Sequence, residues 1–176
     1  MNHSSGVDRV VWKGAVAGIV GGLVASWVMN QFQSGLSKVA QALAHDGGQP
    51  QRGQSSDDED ATMKTAEAIA EAVLDRGLTR SEKQSAGPVV HYAFGSTVGA
   101  VYGAVAELAP GAAAAWGLPF GTTVWLGADE IAVPVLGLSK APAEYPLSTH
   151  ASALAAHLVY GLTTDLVRRG VRATLS

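Results

Sequence analysis

The sequence has no cysteine and few charged residues. Without cysteine the chain can form no disulfide, no thiolate metal site and no cysteine nucleophile. Charged residues make up 15% of the 176 residues, whereas a typical soluble domain has about 25%. The net charge of −3 provides no basic field that would attract nucleic acid, so we expect no nucleic-acid partner.

Four long apolar stretches contain few charged residues. Runs of this length are typical of helices that cross a bilayer. We therefore predict an all-α protein, an integral membrane four-helix bundle that forms a single domain over residues 1–176, with the lipid bilayer as its main partner. A soluble Ala- and Gly-rich helical bundle is the alternative. The spans are expected at residues 11–32, 89–107, 111–130 and 147–167, with a polar segment at 34–87.

Glycines recur at intervals of four residues in these stretches. In lipid, small residues let helix backbones approach closely, whereas each glycine inside an exposed helix costs about 1 kcal/mol relative to alanine. The pattern therefore favours the membrane interpretation and predicts helix packing through glycine stripes. The expected packing residues are Gly14, Gly18 and Gly22, then Gly95, Gly99 and Gly103, then Gly117 and Gly121, and finally Gly161.

The polar segment divides into two parts. Residues 45–60 are rich in Gly, Gln, Ser and Asp, which predicts disorder. Residues 61–78 are predicted to form an extra amphipathic helix that lies on the bundle. Docking of a protein partner is the alternative for this helix, although no residue pattern identifies that partner. Its apolar face comprises Ala66, Ile69, Ala70, Val73 and Leu74.

Polar and ionisable side chains of different spans are expected to meet at one end of the bundle. Successive spans run in opposite directions, and ionisable groups at membrane depth face the protein interior or water rather than lipid. One further histidine, His157, is expected about 10 Å deeper, at a rise of 1.5 Å per residue. The converging residues are Asn30, His91, Asp129, Glu130 and His150.

This His/carboxylate cluster allows several kinds of chemistry. It can be a polar network that only holds helix ends together, or it can respond to protons or ions, because histidine titrates near neutral pH. His91, Asp129, Glu130 and His150 also have the ligand types of a zinc, manganese or non-haem iron site, and two histidines can ligate a haem. No metal-spacing motif such as His-Glu-x-x-His is present, so no cofactor is identified. An enzyme is the less favoured class.

The charges flanking the spans indicate an orientation. An even number of spans places both termini on one side, and Arg168-Arg169 directly follows the last span. Positive charge next to a span favours the cytoplasmic side, so we predict cytoplasmic N- and C-termini. Four short helices are few for a transporter, so a transport role would require a homo-oligomer.

A set of residues in the second half of the sequence carries a resemblance to a known family. These residues are the run from His91 to Gly103, Trp125, Asp129-Glu130, Pro134, Leu136 to Leu138, His150, and His157 to Gly161. With them the sequence resembles the YagU-like family of bacterial inner-membrane proteins. The resemblance covers the predicted spans but not the polar segment, and it implies a multi-pass protein of the bacterial inner membrane. It implies no defined biochemical activity, only an association with acid tolerance, which agrees with a proton-responsive cluster.

Overall fold

The computed structural model describes residues 3–44 and 55–175. All regular secondary structure in these ranges is helical, as the sequence predicts. The α-helices are α1 (His3–Ala44), α2 (Ser55–Leu74), α3 (Arg80–Leu108), α4 (Leu118–Val124), α5 (Val133–Val135) and α6 (Leu147–Thr174). A π-helical segment, Trp125–Ala132, joins α4 to α5, and 3-10 segments lie at Pro110–Gly117 and Pro142–Glu144.

The helices in the polar segment differ from the predicted ones. Helix α1 continues to residue 44, well beyond the predicted end at residue 32. Residues 55–60, predicted to be disordered, form the first turns of α2, whereas residues 45–54 lie outside the described ranges. Helix α2 ends at residue 74 rather than 78, because Asp75 has a left-handed φ of 52°, a conformation that terminates an α-helix.

Helix α2 lies against α3 through small side chains. Ala61, Ala66 and Ala70 are buried, whereas Ile69 on the predicted apolar face is 52% exposed. The side chains of the other two residues of that face, 73 and 74, are outside the described part of the structure. The alanine face is therefore used within the chain, as expected of a helix that lies on the bundle.

Helix α3 begins nine residues before the predicted start at residue 89. Thr79 and Glu82 form a capping box: the Thr79 N–H donates to Oε2 of Glu82 at 2.8 Å, and the Glu82 N–H donates to Oγ1 of Thr79 at 3.3 Å. These bonds satisfy backbone donors of the first turn. Pro88, expected near the helix start, therefore lies inside α3.

The segment after α3 is irregular where a span was expected to begin. Three consecutive residues there, Ala115, Trp116 and Gly117, have positive φ angles of 51°, 57° and 77°. The next helix therefore starts only at Leu118, with Pro119 in its first turn, where the missing N–H of proline is tolerated. From residue 118 to residue 135 the chain is then helical throughout, and we call this stretch the rod 118–135.

Helix α1 is the centre of the packing. It runs antiparallel to α3, with Gly14, Gly18 and Gly22 against Gly103, Gly99 and Gly95 respectively. It also contacts α6. Gly117 and, within the rod 118–135, Gly121 lie against Gly161 and His157 of α6. The helices thus form a row in the order α3, α1, α6 and rod. Among the described residues, α3 meets the rod where the rings of Tyr102 and Phe120 stack with 4.2 Å between centroids, and the two helices do not pack along the rest of their lengths.

Interior and exterior side chains have an unusual distribution. The largest fully buried side chains are Thr164, Asp165 and Ser26, whereas Leu23 and Trp27 of α1 are 48% and 55% exposed. Two helical segments, Val10–Leu43 and Arg80–Leu108, are long and apolar enough to cross a membrane by length and composition.

Candidate functional site

A cavity of about 1510 Å³ lies between α3 and the rod 118–135, with α1 and α6 as its floor. It forms where α3 and the rod do not contact each other. Its walls are largely apolar along most of the length and include Phe94, Val98, Val101, Phe120 and Val124. At one end the lining is polar, and there it includes all six predicted cluster residues: Asn30, His91, Asp129, Glu130, His150 and His157.

The shortest contact in this polar end is between Glu130 and His150. Oε1 of Glu130 lies 2.6 Å from Nδ1 of His150, and the carbonyl oxygen of Pro142 lies 3.0 Å from Nε2 of the same ring. Both ring nitrogens therefore face an acceptor. The contact joins three separate parts of the chain: the π-helical segment, the loop before α6, and α6 itself.

Asp129 makes a looser contact with the second histidine of α6. Its Oδ2 lies 3.5 Å from Nδ1 of His157, and that nitrogen is also 3.0 Å from the carbonyl oxygen of Ala153. The neighbouring residues Asp129 and Glu130 thus both reach α6. In a π-helix the hydrogen bonds run from i to i+5, so successive side chains diverge by a smaller angle than in an α-helix.

His91 lies on the opposite wall, on α3. It hydrogen-bonds to the backbone of Ser26 and is close enough to His157 for an electrostatic interaction. Its Nε2 is buried without a hydrogen-bond partner, as is the Oγ of Ser26. Asn30 is held nearby, since its Nδ2 donates to the hydroxyl of Tyr92 at 3.4 Å.

The cluster is thus divided into pairs rather than gathered around one point. Among the described residues, no three His, Asp or Glu side chains are placed to hold a metal ion together. The metal alternative therefore has no donor set in this part of the chain. What the arrangement provides is two His/carboxylate pairs and one histidine with an unpartnered nitrogen.

A second charged cluster, which the sequence analysis did not identify, lies at the opposite end of the bundle. Asp165 is fully buried and accepts hydrogen bonds from the Tyr102 hydroxyl at 2.9 Å, from Nη2 of Arg168 at 2.9 Å and from Nε of Arg169 at 2.7 Å. Nearby, Nε of Arg172 donates to Oε1 of Glu107 at 2.8 Å. The cluster ties α3 to the C-terminal half of α6.

A local sequence signal for this second cluster does exist. Asp165 precedes Arg168 by three residues and Arg169 by four, which is the spacing of ion pairs on a helix surface. In the sequence these arginines stand out only as the positive charges that follow the last predicted span. The fixed position of Arg169 also depends on the irregular segment after α3, since its Nη2 donates to the carbonyl oxygen of Ala113 at 2.9 Å.

A family model described as a protein of unknown function, DUF1440, matches residues 64–166, more than half of the chain. The chain belongs to the DUF1440 family. The matched region of this DUF1440 protein runs from α2 into α6 and includes both His/carboxylate pairs, His91 and Asp165. It excludes α1 and the arginines after residue 166. No curated protein and no solved structure matched the chain.

Proposed function

We propose that this DUF1440 protein is a multi-pass protein of the bacterial inner membrane whose Glu130–His150 pair binds a proton and thereby fastens the loop before α6. The role is that of a proton-responsive membrane protein rather than an enzyme. The observation that carries the proposal is the position of the His150 ring between two hydrogen-bond acceptors.

The membrane part of the proposal is supported by the distribution of side chains. Small and polar residues such as Ser26, Thr164 and Asp165 are buried, whereas large apolar residues face outward. In water this would expose extensive apolar surface. In a bilayer it is the expected arrangement, because helices pack through small residues and ionisable groups avoid lipid. The lengths of α1 and α3 and the resemblance to YagU-like proteins agree with it.

The proton part follows from counting hydrogen-bond donors. A neutral imidazole has one N–H and one acceptor nitrogen. With an acceptor 2.6 Å from one nitrogen and another 3.0 Å from the other, the ring needs two N–H donors, or Glu130 must itself carry a proton. Either arrangement holds one proton more than a carboxylate beside a neutral ring. Binding of this extra proton by the Glu130–His150 pair and the hydrogen bond from His150 to the Pro142 carbonyl are therefore linked.

Other titratable groups share this end of the cavity. Asp129 adjoins Glu130, Lys140 lies in the loop before α6, and His157 lies deeper on α6. The Tyr145 ring meets the His150 ring edge-on with 6.4 Å between centroids, and the Tyr145 hydroxyl accepts from the Lys140 backbone N–H at 3.3 Å. Besides the bond to Pro142, the loop is thus held by this ring contact and by hydrogen bonds of its own. Loss of the bond to Pro142 would therefore loosen the loop rather than detach it.

Hydrogen exchange of the backbone amides at 139–146, measured in lipid nanodiscs over a range of pH, tests this proposal. In the wild type, protection corrected for intrinsic exchange should fall as the pH rises. Glu130→Gln should remove the pH dependence and keep protection, because a glutamine N–H can donate to Nδ1 while a neutral ring still donates to Pro142. His150→Gln should lower protection at every pH.

His91→Gln is the matched control, since it makes the same substitution in the same cavity but away from this loop. Its profile should follow that of the wild type. A wild-type profile without pH dependence, or a Glu130→Gln profile identical to the wild-type one, would contradict the proposed role of the pair.

A further inference from the structure

The cavity has the form of a site for an amphiphile. Its apolar walls run along α3 and the rod 118–135, and its polar residues are confined to one end. Its volume of about 1510 Å³ exceeds the roughly 300–1,000 Å³ typical of small-molecule sites, so it has room for an extended hydrocarbon chain. The gap between α3 and the rod opens to the surroundings of the bundle.

The charge at the polar end is unbalanced. None of the lysine or arginine ion pairs among the described residues involves Asp129, whose charged partner is His157 at 3.5 Å. The adjacent Glu130 has the same sign and is already engaged by His150. A positively charged group entering this end of the cavity would therefore be attracted to Asp129.

An unpartnered polar atom lies at the same end. Nε2 of His91, a residue of the cavity lining, makes no hydrogen bond, and such an atom is costly unless a ligand or water satisfies it. The ring of His91 already bonds to the Ser26 backbone, which leaves Nε2 of the neutral ring as an acceptor. Oγ of Ser26 is also unpartnered, but it is fully buried against Gly95 between α1 and α3 and is not a ligand contact. A ligand with an N–H donor would satisfy His91.

We infer that the cavity binds an amphiphile with a primary ammonium head, which contacts Asp129 and His91, while its hydrocarbon tail lies against Phe94, Val98 and Phe120. A primary ammonium combines a positive charge with three N–H donors. A fatty acid would place a second carboxylate beside Asp129. A quaternary ammonium would supply the charge but no donor. The site does not require the Glu130–His150 pair.

Three probes with the same tail separate these contributions: octylammonium, octyltrimethylammonium and octanoate. Each is titrated calorimetrically, at mildly alkaline pH, into the full chain in phosphatidylcholine nanodiscs, with empty nanodiscs as the blank. Octylammonium should bind most tightly and octanoate most weakly. Octyltrimethylammonium should bind with intermediate affinity, because it keeps the charge and loses the N–H donors.

Substitutions then assign the contacts. Asp129→Asn should weaken octylammonium binding at least about tenfold, since it removes the negative charge that accepts the ammonium hydrogen bond. His91→Phe should reduce the difference between the primary and quaternary probes. Glu71→Gln removes a carboxylate from the exposed surface of α2 and should leave binding of all three probes unchanged.

The tail region has its own pair of variants. Val98→Trp fills the cavity and should abolish binding, whereas Leu23→Trp changes an exposed site on α1 and should not. If phosphatidylethanolamine in the nanodisc competes with octylammonium, the ammonium group belongs to a bilayer lipid. If it does not compete, the ligand is a free amine. Equal affinity for all three probes would overturn the inference. Binding of octylammonium to the Val98→Trp variant with wild-type affinity would also overturn it. So would a change in the oligomeric mass of the Val98→Trp variant, because that would show that a second copy of the chain occupies the gap in the wild type.

Discussion

Gly18 of α1 lies directly against the backbone of Gly99 of α3. A β carbon at Gly18 would meet the carbonyl oxygen of Gly99, and one at Gly99 would meet the carbonyl oxygen of Gly18. The two helices are therefore as close as their backbones allow. This contact fixes α3 on α1 and leaves the other side of α3 to form a wall of the cavity.

Gly18→Ala should destabilise the protein by about 1–3 kcal/mol, the usual cost of inserting a methyl group into a packed interface. Gly35→Ala is the control, because a β carbon at Gly35 would have no neighbour within 4 Å. That change should stabilise α1 by about 1 kcal/mol through helix propensity alone. Unfolding of both variants in mixed detergent micelles measures the difference, and effects of the same sign would count against close packing of α1 and α3.

Asp165→Ala should be the most destabilising single substitution at the end of the bundle opposite the Glu130–His150 pair. It removes the hydrogen-bonded partner of Arg168, whose side chain is 8% exposed, and leaves Glu107 at 4.0 Å as its remaining ion-pair partner. Breaking a buried ion pair costs about 3–5 kcal/mol. The double variant Asp165→Leu with Arg168→Met should recover much of this loss, because it removes both charges. Unfolding free energies of the wild type, Asp165→Leu, Arg168→Met and the double variant test the coupling, and additive losses would disprove it.

The first turn of α3 should become less stable in acid. Glu82 lies ahead of the apolar stretch at 89–107. Its hydrogen bond with Arg76 is the largest cause of a pKa lowered from 4.5 to about 2, and its hydrogen bonds with Thr79 lower the pKa further. A carboxyl whose pKa is lower in the folded than in the unfolded state stabilises the fold when the pH is above the unfolded-state pKa. This contribution is lost as the pH falls from about 4.5 through about 2. Glu82→Gln should therefore lower the free energy of unfolding at neutral pH, and the difference from the wild type should shrink as the pH falls. A difference from the wild type that is constant with pH would contradict this role.

Single-cysteine labelling should reveal the orientation in the membrane, since the chain has no cysteine of its own. Ala143, in the loop before α6, and Thr174, at the end of α6, are both exposed and lie at opposite ends of that helix. With cytoplasmic termini, an impermeant maleimide should label Ala143→Cys in intact cells and Thr174→Cys only after permeabilisation. Leu23→Cys, on the apolar face of α1, should resist labelling in both conditions. The reverse pattern for the first two would overturn the predicted orientation, and free labelling of Leu23→Cys would overturn the membrane location.

Periodicity in the sequence is enough to predict the helical class. Helices separated by short turns must run antiparallel, so residues such as His91 and Asp129 come to the same end of the structure. The glycine spacing likewise places Gly14 and Gly103 on facing helices. These features depend on geometry that repeats along the chain.

The helix boundaries and the pairing within the cluster depend on individual hydrogen bonds instead. The start of α3 could have been predicted from the Thr79-x-x-Glu82 capping pattern. The π-helical segment has no periodic signature in the sequence. Pro134 has no N–H to donate to the carbonyl of Glu130 four residues earlier, which disfavours α-helical bonding there. Only the folded chain shows that Glu130 pairs with His150 and Asp129 with His157.

The protonation state of His150 tests the proposed function most directly. Nitrogen NMR of protein with ¹⁵N-labelled histidine, in lipid at neutral pH, distinguishes a ring with two N–H groups from each neutral tautomer. We predict that the wild-type His150 ring is protonated on both nitrogens, or on Nε2 alone with a protonated Glu130 donating to Nδ1. In Glu130→Gln the ring should be a neutral tautomer protonated on Nε2. A neutral wild-type ring protonated on Nδ1 would contradict the proposal, because Glu130 would then be an ordinary carboxylate and the pair would hold no extra proton.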